Sequence, residues 1–265
     1  PEINLGLIAG HKALGISAGD AARIGMLTAA LWWGGFALVA ARYLREPRVG
    51  QPLPPGRAPT LIGYLALGFG RVWQTMRHIR GLRHTALFLL AFFVYNEGIQ
   101  TVIQMATMYG KQELHLSATA LMVTLLLVQI VGIFGALLFA GIASRIGTRQ
   151  AIILCLVVWC GVVVYAYFIR TAGEYFVLGA FVGLVLGGSQ AISRSLYASM
   201  VPEDAPAEFF GFYSVVSKFS AVWGPFLFAL IRHSTGSSRN ALLAVIVFFV
   251  LGIVLLLFVD EGKRD

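Results

Sequence analysis

The chain has 265 residues, of which 58% are hydrophobic and 12% charged, with a formal net charge of +8. Soluble domains carry about one quarter charged residues, so a water-soluble globular fold is excluded. The apolar residues run continuously, with no alternation of period two, which argues against a β-barrel. The basic residues sit between the apolar runs, so nucleic acid is not an expected partner and lipid is.

A bilayer core about 30 Å thick needs roughly 20 apolar residues per helix. Read in chain order, the sequence supplies about seven such stretches. The opening segment, Pro1–Ala22, reads as a loop with no secretory signal, and it begins on proline rather than methionine. This predicts a fragment or processed product with upstream spans missing. Gly25–Leu44 is the first span. Gln51–Pro59 holds Pro52, Pro54, Pro55 and Pro59 and reads as an extended linker. Thr60–Arg83 mixes Leu61, Leu65, Phe69, Trp73 and Met76 with Arg71, Arg77, Arg80 and Arg83. That pattern predicts a basic amphipathic helix, lying at the membrane interface or packed on the protein. Six further spans follow: Thr85–Tyr109, Ser117–Ala143, Gln150–Ile169, Tyr175–Met200, Phe209–Ile231 and Ala241–Val259. The domain reading is therefore an outer loop and one helix over 1–44, a central linker over 45–84 and a six-helix bundle over 85–265.

Alternate connections differ in basic content. Arg42, Arg45, Arg48, Arg57, Arg71, Arg77, Arg80, Arg83, Arg145, Arg149, Lys263 and Arg264 fall on one side. Lys12, Arg23, Lys111, Arg170, Arg232 and Arg239 fall on the other. The richer side is assigned to the cytoplasm, together with the C-terminus. Cys155 and Cys160 share one span, and a spacing of five points them away from each other, which argues against a disulfide between them.

What interrupts the apolar background carries the functional reading. Glu97 is the one acidic residue well inside a span, within Tyr95-Asn96-Glu97-Gly98-Ile99-Gln100. A charge at mid-bilayer costs on the order of 2.5–3.5 kcal/mol on insertion scales, so it should face a cavity or a partner. Gln100, Thr101 and Gln104 follow at helical spacing and predict a polar stripe shared with Glu97. Gly98 offers close backbone approach or a local bend. Gln190, Ser193, Arg194 and Tyr197 form a second stripe, preceded by Gly183 and Gly187, a small-xxx-small pair for tight helix packing. The Gly187-Gly188 pair is expected to loosen this helix. Ser214, Ser217 and Lys218 form a third stripe, and Gly224-Pro225 predicts a bend. Counted from the cytoplasmic ends of their spans, Glu97 and Lys218 lie roughly 18 and 15 Å deep. The matching depths predict a Glu97–Lys218 ion pair, with Arg194, roughly 9 Å deep, as the rival partner. The turn Gly141-Ile142-Ala143-Ser144-Arg145-Ile146-Gly147-Thr148-Arg149 reads as a tight positive loop between two spans.

Two triplets of spans repeat a rhythm of polar, intermediate and plain, a pattern that occurs in the inverted repeats of secondary transporters. The 141–149 turn resembles the inter-helix loop motif of the major facilitator superfamily. It departs from it at Ser144, where an acidic residue is usual, and at Gln150, where a second base is usual. Tyr95-Asn96-Glu97-Gly98, Gly187 to Leu196, Glu208 to Tyr213, Lys218-Phe219 and Gly224-Pro225 resemble the vacuole-effluxer-like branch, also called the unknown major facilitator family. That branch usually has aspartate where Glu97 stands. The resemblance implies an all-α membrane protein: the last helix of an N-terminal bundle, a central loop and a complete six-helix C-terminal bundle. Its implied partner is the missing N-terminal bundle. The implied activity is secondary transport of a small polar solute by rocker-switch alternating access, with amino-acid efflux from fungal vacuoles as precedent.

On this reading the substrate-binding or coupling residues are Tyr95, Asn96, Glu97, Gln100, Gln104, Gln190, Ser193, Arg194, Tyr197, Ser214 and Lys218. Glu97 is the proton- or substrate-responsive carboxylate. Gly141, Arg145, Gly147 and Arg149 form the gating loop. The expected location is a bacterial inner membrane. No cofactor or metal is expected, since the sequence has no metal-ligand cluster. Three other classes compete with this reading. A retinal receptor lacks a lysine in its last helix. An intramembrane enzyme lacks a suitable histidine: His11, His78, His84, His115 and His233 lie at or outside span ends, and no H-E-x-x-H occurs. A non-transporting scaffold that retains the transporter fold remains the alternative, permitted by Ser144 and opposed by the polar stripes.

Overall fold

The computed structural model describes residues 15–44, 81–201 and 206–260, with isolated positions between 60 and 77. The proline-rich linker, most of the expected amphipathic segment, residues 1–14 of the expected opening loop and the last five residues lie outside the described residues. The end of that expected loop, from Ala18 to Ala22, is instead the first turn of a helix capped by Ser17. Nine helices are described, and no strand is found among the described residues. They are α1 (Ala18–Tyr43), α2 (Arg83–Gln112), α3 (Ala118–Ile146), α4 (Thr148–Phe168), α5 (Ala172–Met200), α6 (Pro206–Phe219), α7 (Trp223–Thr235), α8 (Ser238–Ala244) and α9 (Ile246–Leu257). Taken as membrane spans, α6 with α7 and α8 with α9 each count once, giving seven long apolar spans. This is an all-α multi-pass membrane protein.

The chain divides into two compact units, Pro1–Leu65 and Ala66–Asp265. In the first, α1 starts on Ser17, whose hydroxyl accepts from the Asp20 N–H at 3.1 Å. Its side chains are mostly exposed, Trp32 and Trp33 among them, as a lipid-facing span requires.

In the second unit, local chemistry sets the helix ends. Ser117 and Ser237 cap α3 and α8, and Thr171 with Glu174 forms a reciprocal capping box at the start of α5. Gly147 turns the chain between α3 and α4 at φ 94°, where L side chains are strained. Packing then orders the helices. Trp159 of α4 stacks on Phe249 of α9 with ring centroids 5.6 Å apart, and both are fully buried. The Tyr109 hydroxyl donates to the Ala166 carbonyl at 2.5 Å, and that of Tyr175 donates to Ala106 at 2.9 Å. Between α3 and α5 the backbones nearly touch. A Cβ added at Gly135 would run into the Leu184 carbonyl, and one at Gly187 into that of Gly132. Gly183 and Gly187 thus act as the expected packing pair. Gly187-Gly188 does not loosen the helix, because α5 runs unbroken and both glycines are seated on α3. Gly98 likewise makes no bend in α2 and is a contact for Phe249.

The span over Phe209–Ile231 is where the structure departs most from a plain helix. It stops at Phe219 and restarts at Trp223, with Ser220, Ala221 and Val222 in a turn. The expected bend at Gly224-Pro225 is therefore a break two to four residues earlier. Pro225 sits in the first turn of α7, where its lack of an N–H is tolerated. In an unbroken helix that N–H would serve the Ala221 carbonyl, so the break falls just before it.

Candidate functional site

α2, α5 and α6 enclose a polar hollow of about 190 Å³. Seven of the expected residues line it: Tyr95, Asn96, Gln100, Gln190, Ser193, Arg194 and Lys218. Phe92, Ile99, Ser189, Tyr213 and Ser217 complete the wall. The Tyr95 hydroxyl and Ser193 Oγ are 2.6 Å apart and share a hydrogen bond across α2 and α5. Arg194 reaches the Tyr213 hydroxyl from α5. Arg194, Gln190 and Lys218 are exposed, whereas Tyr95, Asn96 and Ser193 are buried. Among the described residues, no acidic side chain lines the hollow.

At the end where α2 and α6 begin and α5 finishes, aromatic rings seal the hollow. Phe92 stacks on Tyr213 at 4.4 Å between centroids, Tyr213 stacks on Tyr197 at 5.0 Å, and Phe88 joins both stacks. Tyr197 belongs to this plug and not to the cavity wall. Its hydroxyl donates to the Phe209 carbonyl at 2.9 Å. Ser214 is exposed and turned back on its own helix, donating to Phe210 at 2.9 Å.

Glu97 does not join the hollow. Its Oε1 accepts from the Gly224 N–H, and the N–H groups of Val222 and Trp223 point the same way. Oε2 is buried with no hydrogen-bond partner among the described residues. The expected ion pair with Lys218 or Arg194 is not formed. Among the described residues the salt bridges are Arg23–Asp20 and Arg239–Glu113. The reason lies in helical geometry. At about 100° per residue, Asn96 and Gln100 turn to one side of α2, while Glu97 and Thr101 turn to the α7 side. The predicted single stripe is two stripes. Gln104 belongs to the second, with its amide donating to the Ala221 carbonyl at 3.4 Å.

The gating-loop residues divide as well. Gly141 and Arg145 are exposed at the α3–α4 turn, and the Ser144 hydroxyl donates to the Gly141 carbonyl at 2.8 Å. Arg149 turns inward, and its Nη1 donates to the Val259 carbonyl at 2.6 Å. It thereby ties the start of α4 to the end of α9. Cys155 and Cys160 are both free thiols. No group of three or more His, Cys, Asp or Glu side chains among the described residues is placed to hold a metal ion.

Sequence reasoning did not put Tyr213 or Ser220 in the site. Tyr213 entered only within the Glu208 to Tyr213 stretch that carries the family resemblance. Ser220 carried a usable signal, since it directly precedes Ala221, whose carbonyl loses its helical donor to Pro225.

The profile of the vacuole effluxer Atg22-like family matches residues 3–265. A Bacillus subtilis (strain 168) protein described as the MFS-type transporter YxiO is 34% identical over 255 residues, covering 96% of this chain and 58% of that protein. Autophagy-related protein 22-1 of Aspergillus niger is 32% identical over 261 residues, covering 92% of this chain and 42% of that protein. Its counterpart in Penicillium rubens is 30% identical over 262 residues, with coverage of 92% and 44%. The chain spans about half the length of these relatives. On these matches, and with its seven apolar helical spans, the chain belongs to the vacuole effluxer Atg22-like branch of the major-facilitator-type membrane proteins.

Proposed function

We propose that this chain builds one bundle of a secondary active transporter that moves a small polar solute by rocker-switch alternating access. The observation that carries this reading is the hollow between α2, α5 and α6, walled by amides, hydroxyls and two bases within an apolar bundle. Unpaired bases inside a bilayer are costly, on the order of 2.5–3.5 kcal/mol each, unless water or an anionic group meets them. With no acid among the described residues of the wall, Arg194 and Lys218 are left to bind a carboxylate of the solute. An amino acid fits that chemistry, and efflux fits the family's description. A second helical bundle, N-terminal to the central linker, is the proposed partner that closes the hollow. The proposed setting is a bacterial inner membrane with the C-terminus in the cytoplasm, following the basic-residue count.

Glu97 is the proposed proton-coupling group. It is 1% exposed, and its Oε2 has room for a proton and no competing base within ion-pair distance among the described residues. The test is solute uptake by full-length protein in proteoliposomes. Arg194→Ala and Lys218→Ala should each abolish concentrative uptake, and Glu97→Gln should remove its pH dependence. Unchanged uptake in both base variants ends the substrate-site reading. Wild-type protein that moves no amino acid or other small polar solute leaves the scaffold alternative in its place.

A further inference from the structure

The break in the sixth span exposes backbone groups that a bilayer cannot satisfy. The Ser220 hydroxyl donates back to the Ser217 carbonyl at 3.0 Å, and the partners that reach the break from another helix come from α2. On the α6 side, the Asn96 amide donates to the Ser217 carbonyl at 3.3 Å and to Ser220 Oγ at 2.5 Å. In the turn, Gln104 serves the Ala221 carbonyl left without a donor by Pro225. On the α7 side, the Glu97 carboxylate meets the Gly224 N–H. A carboxylate there also meets the positive end of the α7 dipole. Gly224 is required for the approach, because a Cβ at that position would stand 3.0 Å from Glu97 Oε1 and inside the space of Thr101 Oγ1.

Two hollows flank this contact along the chain. The polar one is lined by Ser217 and Lys218, just before the break. A second, of about 650 Å³, is lined by Pro225, Phe228 and Arg232 after it, with Met105 and Met108 of α2.

We infer that Glu97 is a positioning residue that latches a hinge: its carboxylate holds the start of α7 against α2, and so fixes how α6 presents Ser217 and Lys218 to the polar hollow. Asn96 and Gln104 hold the two other loose ends of the same hinge. The break lets α6 and α7 move as separate rods, and Glu97 decides when they move together. The role needs an oxygen that accepts an N–H, not a negative charge, so glutamine can fill it and alanine cannot. The functional part of this inference rests on the transporter reading; the latch itself does not.

The experiment is hydrogen–deuterium exchange on full-length protein in nanodiscs, followed across the peptide 217–226. Glu97→Ala should raise exchange at Val222 to Gly224 by about tenfold, the equivalent of losing one hydrogen bond. Glu97→Gln should stay within about twofold of wild type, and α3–α5 peptides should not change in either variant. Gly224→Ala, which keeps the carboxylate and pushes it off the helix start, should reproduce the alanine result and serves if Glu97→Ala does not fold. Wild-type exchange in both Glu97→Ala and Gly224→Ala overturns the latch, as does Glu97→Gln behaving like Glu97→Ala. In proteoliposomes the apparent KM should rise about tenfold in Glu97→Ala and equally in Gly224→Ala. A latch confirmed by exchange in a protein that moves no solute would sink the transport reading and leave the latch standing.

Discussion

Two seams hold the second unit together, and they are built from opposite materials. Between α3 and α5, glycines let backbone lie on backbone, with Gly135 against Leu184 and Gly187 against Gly132. Between α2 and the α6–α7 pair, side-chain amides and a carboxylate meet the open ends of a broken helix. At those two contacts the first seam is backbone on backbone, with no side chain between. The second can be undone one hydrogen bond at a time. In lipid, where apolar burial gives helices little reason to associate, close van der Waals contact makes a permanent join and polar contact makes a reversible one. The polar hollow stands beside the reversible seam and is walled by both α2 and α6.

The strongest way to break this comparison is to add volume to the rigid seam. Gly135→Val drives a side chain into the Leu184 backbone and should cost about 3 kcal/mol or more. The expected result is loss of the folded peak in detergent, read by size exclusion and thermal melting. A melt near wild type would mean that α3 and α5 can slide apart, and the distinction between the seams would fail. Asn96→Ala comes next. It leaves the Ser220 hydroxyl oxygen short of its buried donor, with the Ser217 carbonyl still met by Ser220, and should cost about 1–3 kcal/mol, read as a lower melting temperature with the fold retained. Tyr95→Phe removes one partner of the Tyr95–Ser193 bond, and a cost of about 1 kcal/mol is expected. Thermal melts of Tyr95→Phe, Ser193→Ala and the double variant would show whether the two losses share one bond. The smallest effect on stability belongs to Lys218→Ala. Its side chain is exposed, so the melt should move by the equivalent of about 0.5 kcal/mol or less, while solute binding by isothermal titration is lost. A large drop in stability would make Lys218 part of the hinge and not of the binding wall.

Much of this was legible before any coordinates. Continuous apolar runs at the bilayer length gave six of the spans to within a few residues, since that signal needs only composition and spacing. The first began seven residues late, at Gly25 instead of Ala18. Asn96, Gln100, Ser193, Arg194 and Lys218 were found because polar groups in a span must have a reason to be there. The small-xxx-small pair at Gly183 and Gly187 was read correctly for the same kind of local reason. Glu97 shows where this reasoning ends. Its depth matched that of Lys218, but depth is one coordinate, and the direction of a side chain around its helix is another. Asn96 and Glu97 are neighbours in the chain and face different helices.

The sequence by itself determined the class of molecule, the number of spans and which residues are too polar to face lipid, because each follows from transfer of one side chain or one segment into hydrocarbon. Only the tertiary structure decided which of those polar groups look into the hollow and which are spent on a neighbour's backbone. That choice depends on the rotation of α2 against α6 and α7 and on where Pro225 leaves a carbonyl open, and both arise only when three distant segments pack together.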